Sequence, residues 1–85
     1  MSEAEPTMTE EVLAFIARKL VDHPNDVRVT AVDGDRVETV LELRVNPEDM
    51  GKVIGKRGRT AKAIRTVVKA AATREGTSAT VEIVD

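Results

Sequence analysis

The 85-residue sequence has no cysteine, tryptophan or tyrosine, and only one phenylalanine and one histidine. Without cysteine there are no disulfides and no thiolate metal sites. One aromatic residue is too few for the platforms on which several nucleic-acid-binding folds stack bases. With no Cys or Tyr, and with His23 alone beside Pro24 at a helix end, the usual nucleophile–base pairs are missing. Ser2 and Ser78 have no evident activating base, and the carboxylates are scattered over helix starts and strand surfaces. No catalytic residue, metal site, cofactor or small-molecule substrate is expected. No apolar run approaches the ~20 residues of a membrane span. The start, Met1-Ser2-Glu3-Ala4-Glu5-Pro6, is acidic and polar, unlike a secretory signal. The expectation is a non-enzymatic, cytoplasmic protein with no membrane segment. Its length suits one domain with a thin core, which a dimer would help.

What is present is an uneven distribution of charge. Thirteen Lys and Arg against fifteen Asp and Glu give a net charge of −2. Residues 51–74, GKVIGKRGRTAKAIRTVVKAAATR, hold eight of the basic residues and none of the acidic ones. The rest of the chain holds five basic and fifteen acidic residues, so a formally acidic protein carries one concentrated cationic segment. Such a segment is the electrostatic footprint of a polyanionic partner.

The pattern of apolar residues predicts six elements. Residues 1–6 read as a disordered tail, and 7–85 as the folded domain. Thr7 and Glu10 have capping-box spacing, and Leu13, Ile16, Ala17 and Leu20 recur at helical spacing, which predicts a helix over Met8–Asp22 stopped by Pro24. Val12 and Phe15 flank that stripe as apolar surplus, and Phe15 is expected in the core or at a dimer interface. Val27, Val29 and Ala31 alternate with polar residues as a strand. Asp33-Gly34-Asp35 is a hairpin signal, and residues 37–45 form the clearest strand in the chain. Asn46 suits a helix N-cap and Pro47 the first helical position, opening a short helix that Gly55 ends in a left-handed conformation. A longer helix follows over Arg59–Arg74, with Ala61, Ile64, Val67, Val68 and Ala71 as its apolar side and Lys62, Arg65 and Lys69 opposite. Val81 and Ile83 mark a final strand. A hairpin followed by a two-helix crossover predicts one antiparallel and one parallel strand pair, hence an α+β fold with a three-stranded mixed sheet covered on one face by helices.

The two helices of the crossover meet at Gly55-Lys56-Arg57-Gly58. A G-x-x-G tetrapeptide alone is weak evidence. Here it follows the apolar pair Val53-Ile54, opens the long helix, and lies among bases with no acid. Gly55 and Gly58 would let a sugar-phosphate strand approach the backbone. Free amides at the start of the long helix favour an anion. Lys56 and Arg57 add charge, flanked by Lys52 and Arg59. Val53, Ile54 and Met50 form a candidate apolar floor for bases. Lys62 and Arg65 lie further along the helix as secondary candidates. Other phosphate motifs fit poorly: Gly51 to Lys56 is one residue short of a P-loop and is followed by Arg57, and no strand immediately precedes the glycines.

Helix–GxxG–helix between two strands is the signature of the KH module, whose loop clamps the backbone of four nucleotides. The helix-first order resembles the bacterial, type II arrangement. Residues 45–72, VNPEDMGKVIGKRGRTAKAIRTVVKAAA, resemble the KhpA family of bacterial single-KH proteins. The upstream LVDHP and the terminal VEIVD match it as well, so the similarity covers nearly the whole chain after the tail. The resemblance implies an α-β-β-α-α-β KH domain and a cytoplasmic single-stranded RNA-binding protein, an RNA chaperone or post-transcriptional regulator. It also implies a homodimer or a heterodimer with a KhpB/Jag-type KH protein, and a link to cell shape and envelope homeostasis. The rival reading is a KH-like protein-interaction adaptor with little RNA binding of its own.

Overall fold

The computed structural model describes residues 6–33 and 38–84. The expected tail before Pro6, the tip of the hairpin at Gly34 and Asp35, and Val37 lie outside the described residues. In chain order the elements are α1 (Met8–Leu20), a 3-10 turn (Pro24–Asp26), β1 (Arg28–Asp33), β2 (Thr39–Arg44), a 3-10 turn (Pro47–Asp49), α2 (Met50–Ile54), the loop turn Lys56–Gly58, α3 (Arg59–Arg74) and β3 (Ala79–Val84). The sheet order is β1-β2-β3. β1 runs antiparallel to β2, with Val29 opposite Leu43, and β3 runs parallel to β2, with Val81 opposite Leu41. The mixed three-stranded sheet follows from the connections: a short link gives the antiparallel pair, and the α2–α3 crossover gives the parallel one.

One core lies between the sheet and the helices. Leu41 and Leu43 from the central strand, with Val45 just beyond it, meet Leu13 and Ala17 of α1, Val53 of α2, Ile64 and Val68 of α3, and Val81 of β3. Thr7 caps α1 as the spacing predicts: its hydroxyl accepts the Glu10 N–H and its own amide donates to the Glu10 carboxylate. A second cap comes from far along the chain. The Glu75 carboxylate accepts the Met8 and Thr9 amides and the Thr9 hydroxyl, joining the end of α3 to the start of α1. The Thr9 hydroxyl foremost, and then its amide, hold Glu75 below the usual carboxylate range.

Four expectations change. α1 ends at Leu20 rather than Asp22, because the Asp22 and His23 amides turn away from the helix to the Asp49 carboxylate. The buried seam of α3 is Ala61, Ile64, Val68 and Ala72; Val67 is 43 % exposed and Ala71 half-buried. A helix resting on a sheet with α1 against its flank buries a narrower stripe than its apolar content allows. Of the two places expected for Phe15, the core is ruled out: it is 61 % exposed, since α1 turns Leu13 and Ala17 inward. Val27, just before β1, is buried, whereas along the strand Val29 is half-buried and Ala31 exposed, so the helical layer thins toward that edge.

Candidate nucleic-acid interface

The loop is built by three departures from ordinary backbone within four residues. Gly55 has φ 78° and ψ 170°, Arg57 φ 58° and ψ 25°, and Gly58 φ 74° and ψ 13°. Gly55 ends α2, its N–H donating to Gly51 O at 2.8 Å, but its ψ is extended rather than left-handed helical. The Gly58 N–H donates to Gly55 O at 3.1 Å and closes the turn. Positive φ is costly for residues with a β-carbon, so two glycines here are a backbone requirement, and Arg57 between them is held in a conformation such residues rarely adopt.

The glycines differ in what surrounds them. A β-carbon on Gly55 would overlap Thr60, coming within 2.6 Å of its Cβ and 2.8 Å of its backbone N as well as meeting Oγ1. One on Gly58 would meet nothing within 4 Å. The bare backbone at Gly55 is therefore filled from within by Thr60, in the first turn of α3. Within the loop, Gly58 is the glycine with open space around it. No side chain caps the start of α3 beside it.

Lys56, Arg57 and Arg59 are exposed around this turn, and Lys62 is exposed one turn further along α3. Lys52 pairs with Asp22 at 3.5 Å on the surface, a contact that solvent makes weak. Arg65 is engaged elsewhere: its Nε donates to Val81 O at 3.2 Å, tying α3 to β3. Of the expected apolar floor, Val53 is fully buried and contributes from beneath, Ile54 is 38 % exposed, and Met50 is half-buried against the core. The loop, its flanking bases and Ile54 thus lie together, whereas Val53 and Arg65 act as supports in this structure.

Two supports gave no signal in the sequence. Thr60 is one of many threonines, and nothing marks it as the residue that fills the space over Gly55. Asp49, 1 % exposed, sits just before α2 and accepts the amides of Asp22 and His23 at 3.2 and 3.0 Å and the His23 ring Nδ1 at 3.0 Å. It pins the helix that leads into the loop to the end of α1. Burial pushes its pKa up, but the His23 ring and the two amides outweigh this and hold it below the usual carboxylate range. His23 is raised, chiefly by its hydrogen bond to Asp49, against a desolvation effect that lowers it.

A KhpA/KhpB KH-domain family model matches residues 10–83. The chain belongs to that KH-domain family. Similar curated proteins carry the name RNA-binding protein KhpA. The one from Clostridium perfringens is 59 % identical over 75 residues, 88 % of this chain and 99 % of its own. The one from Treponema pallidum is 52 % identical over 79 residues, 93 % of this chain and 98 % of its own. Among solved structures the KH fold recurs in the Aquifex aeolicus Era protein bound to GDP and AlF4−, with a TM-score of 0.65 and 19 % identity over 98 % of this chain and 31 % of that one. It recurs again in Era in complex with MgGDPNP and nucleotides 1506–1542 of 16S ribosomal RNA, with a TM-score of 0.63 and 20 % identity over 96 % of this chain and 35 % of that one. The α-β-β-α-α-β order of this chain is the type II KH arrangement that its sequence resembles. Its GxxG loop joins α2 to α3 with Gly58 as the N-cap of α3.

Proposed function

We propose that this KH domain binds single-stranded RNA by its sugar-phosphate backbone, at the loop Gly55-Lys56-Arg57-Gly58. Lys52 and Arg59 flank the phosphate path, Ile54 lines it with Val53 beneath, and Met50, Lys62 and Arg65 lie at its margin. The observation that carries the reading is the conjunction at Gly58. An open, left-handed glycine stands at the uncapped start of a long helix, inside a segment with eight basic and no acidic residues. Backbone amides and the helix dipole favour an anion there, and the side chains add long-range attraction. The curated relatives' name supports the same ligand.

One four-nucleotide site is weak by itself, so useful affinity comes from a second site on a partner chain. The proposed partner is a second copy or a KhpB/Jag-type KH protein, and the proposed role is that of a cytoplasmic RNA chaperone or post-transcriptional regulator acting in cell-shape and envelope homeostasis. An apolar patch between α1 and α3, formed by Ile16, Leu20, Ala63, Ile64 and Val67, supports association. The same patch is what favours the second reading, an adaptor whose main ligand is protein.

Charge reversal separates the readings. Lys56→Asp with Arg57→Asp keeps both glycines, and surface changes usually alter stability by less than about 0.5 kcal/mol. The double variant keeps its circular dichroism and nearly its Tm, and loses binding to a short single-stranded RNA. Lys19→Asp with Arg36→Asp changes net charge equally and binds nearly as the parent does. Equal loss in both variants would assign binding to overall charge, and retained binding in the loop variant would place the RNA elsewhere.

A further inference from the structure

The basic residues outside the loop segment are not scattered. Three of those five, Arg18, Lys19 and Arg28, lie around the one aromatic ring of the chain. Phe15 is 61 % exposed, with the Lys19 ammonium 5.3 Å from its ring centroid. Arg18 and Lys19 make no ion pair among the described residues. Phe15 stands over a groove of about 590 Å³ between α1 and β1. Val29, Arg18, Arg28, Glu10 and Glu11 line it. Glu10 and Glu11 belong to the first turn of α1 and Arg18 to the last. Only residues 21–27 separate α1 from Arg28, so β1 begins beside the end of α1 and the groove has a cationic and an anionic end.

β1 is an edge strand whose outer side has no partner among the described residues. Its centre, Val29-Thr30-Ala31-Val32, carries no charge or proline, the usual protections of an edge. Thr30, Ala31 and Val32 are exposed, although Ala31 pairs with Leu41, which is only 2 % exposed. On the other edge, Arg65 of α3 donates to the Val81 carbonyl of β3. The free edge of β1 is therefore an open template for main-chain pairing, beside a groove lined by Phe15 and Val29 with charge of opposite sign at its two ends.

We infer that this groove is a docking site for an extended peptide segment of a partner protein, which adds a strand to the free edge of β1. The segment has an apolar centre that packs against Phe15 and Val29, an acidic end beside Arg18 and Arg28, and a basic end beside Glu10 and Glu11. Main-chain bonds to an edge strand supply affinity, and alternate side chains entering a groove supply choice. A nucleic-acid strand is disfavoured because its phosphates would run past Glu10 and Glu11. The site is independent of the GxxG loop.

The test is selection of a displayed octapeptide library on the full chain, with counter-selection on a Phe15→Glu, Arg18→Glu variant whose fold is checked by circular dichroism. Enriched peptides should share an apolar centre between an acidic and a basic end. Added to labelled protein, the best should shift the amide signals of Phe15, Val29 and Thr30. Arg18→Glu should weaken it about tenfold or more, like charges facing each other across an interface being strongly disfavoured, and changing the peptide's acidic end to lysine should restore binding. If the double variant fails to fold, this single charge swap decides alone. Peptides that bind the variant equally, lack the charge pattern or shift α3 instead would overturn the proposal. An oligouridylate RNA that shifts the same groove amides would overturn it in favour of nucleic acid.

Discussion

The Asp49 carboxylate and the His23 ring meet at 3.0 Å, with the carboxylate 1 % exposed and the ring reaching the surface near Glu48. The pair joins the end of α1 to the turn that opens α2, and so sets the angle at which the loop helix leaves the sheet. Its two partners are shifted in opposite directions, Asp49 down and His23 up, with opposite consequences for stability. Asp49 is held below its ordinary value in the fold, so its contribution is present above about pH 4 and is lost as pH falls through the folded value. His23 is raised, so its contribution is complete below about pH 6.5 and is lost as pH rises through the folded value. The Tm of the protein should therefore fall on both sides of a mildly acidic plateau. A His23→Gln variant should lose the high-pH part of that dependence and keep a weakened acid part, because the Asp22 and His23 amides still hold Asp49 down when the ring is gone. An unchanged alkaline limb in His23→Gln would remove His23 as its source.

The two loop glycines should respond differently to a methyl group. Gly58→Ala faces only the dihedral strain of a left-handed residue, roughly 1–2 kcal/mol, and should fold. Gly55→Ala combines φ 78° and ψ 170°, a region essentially restricted to glycine, with overlap of Thr60. Its cost should reach about 3 kcal/mol or more. Adding Thr60→Ala to Gly55→Ala removes the contact with Oγ1 but leaves those with Cβ and the backbone N, and the backbone strain, so it should recover only a small part of the loss. Chemical denaturation of the three variants checks the order.

Salt should weaken RNA binding only gently. Each phosphate neutralised on a single strand contributes a log–log slope of about −0.7, so a four-nucleotide site gives roughly −1.5 to −3. A salt series with a short single-stranded RNA measures it. A flat series would move the main ligand from RNA to protein.

Val67 lies outside the buried seam of α3, next to Ile16 and Leu20. Val67→Asp should alter stability by no more than about 0.5 kcal/mol, yet shift the chain toward monomer in sedimentation at high concentration. An unchanged oligomeric state in the variant would locate the association surface elsewhere. A parent that is already strictly monomeric, and that ignores a KhpB-type KH protein, would remove the association proposal.

Much of this protein is settled by local chemistry that can be read along the chain. Thr7 and Glu10 start α1, Asn46 and Pro47 start the turn into α2, and the alternation around Leu41 and Leu43 marks the central strand, because caps, proline and period-two burial act over a few residues. The strand directions follow from connection lengths, and the candidate loop from its glycines and its acid-free surroundings. Tertiary packing alone decides the rest. Val67 and Ala72 are both apolar, and only the angle at which α3 meets the sheet and α1 puts one outside and the other inside. Asp49 looks like any acid at a helix start until three donors from the end of α1 converge on it. Thr60 acquires its role only when α3 folds back over Gly55, and Phe15, apolar enough for any core, is left at the surface because Leu13 and Ala17 already fill the space beneath α1. Residue type states what a side chain can do. Which of several equivalent side chains does it depends on contacts between segments far apart in the chain, and a local pattern cannot encode those.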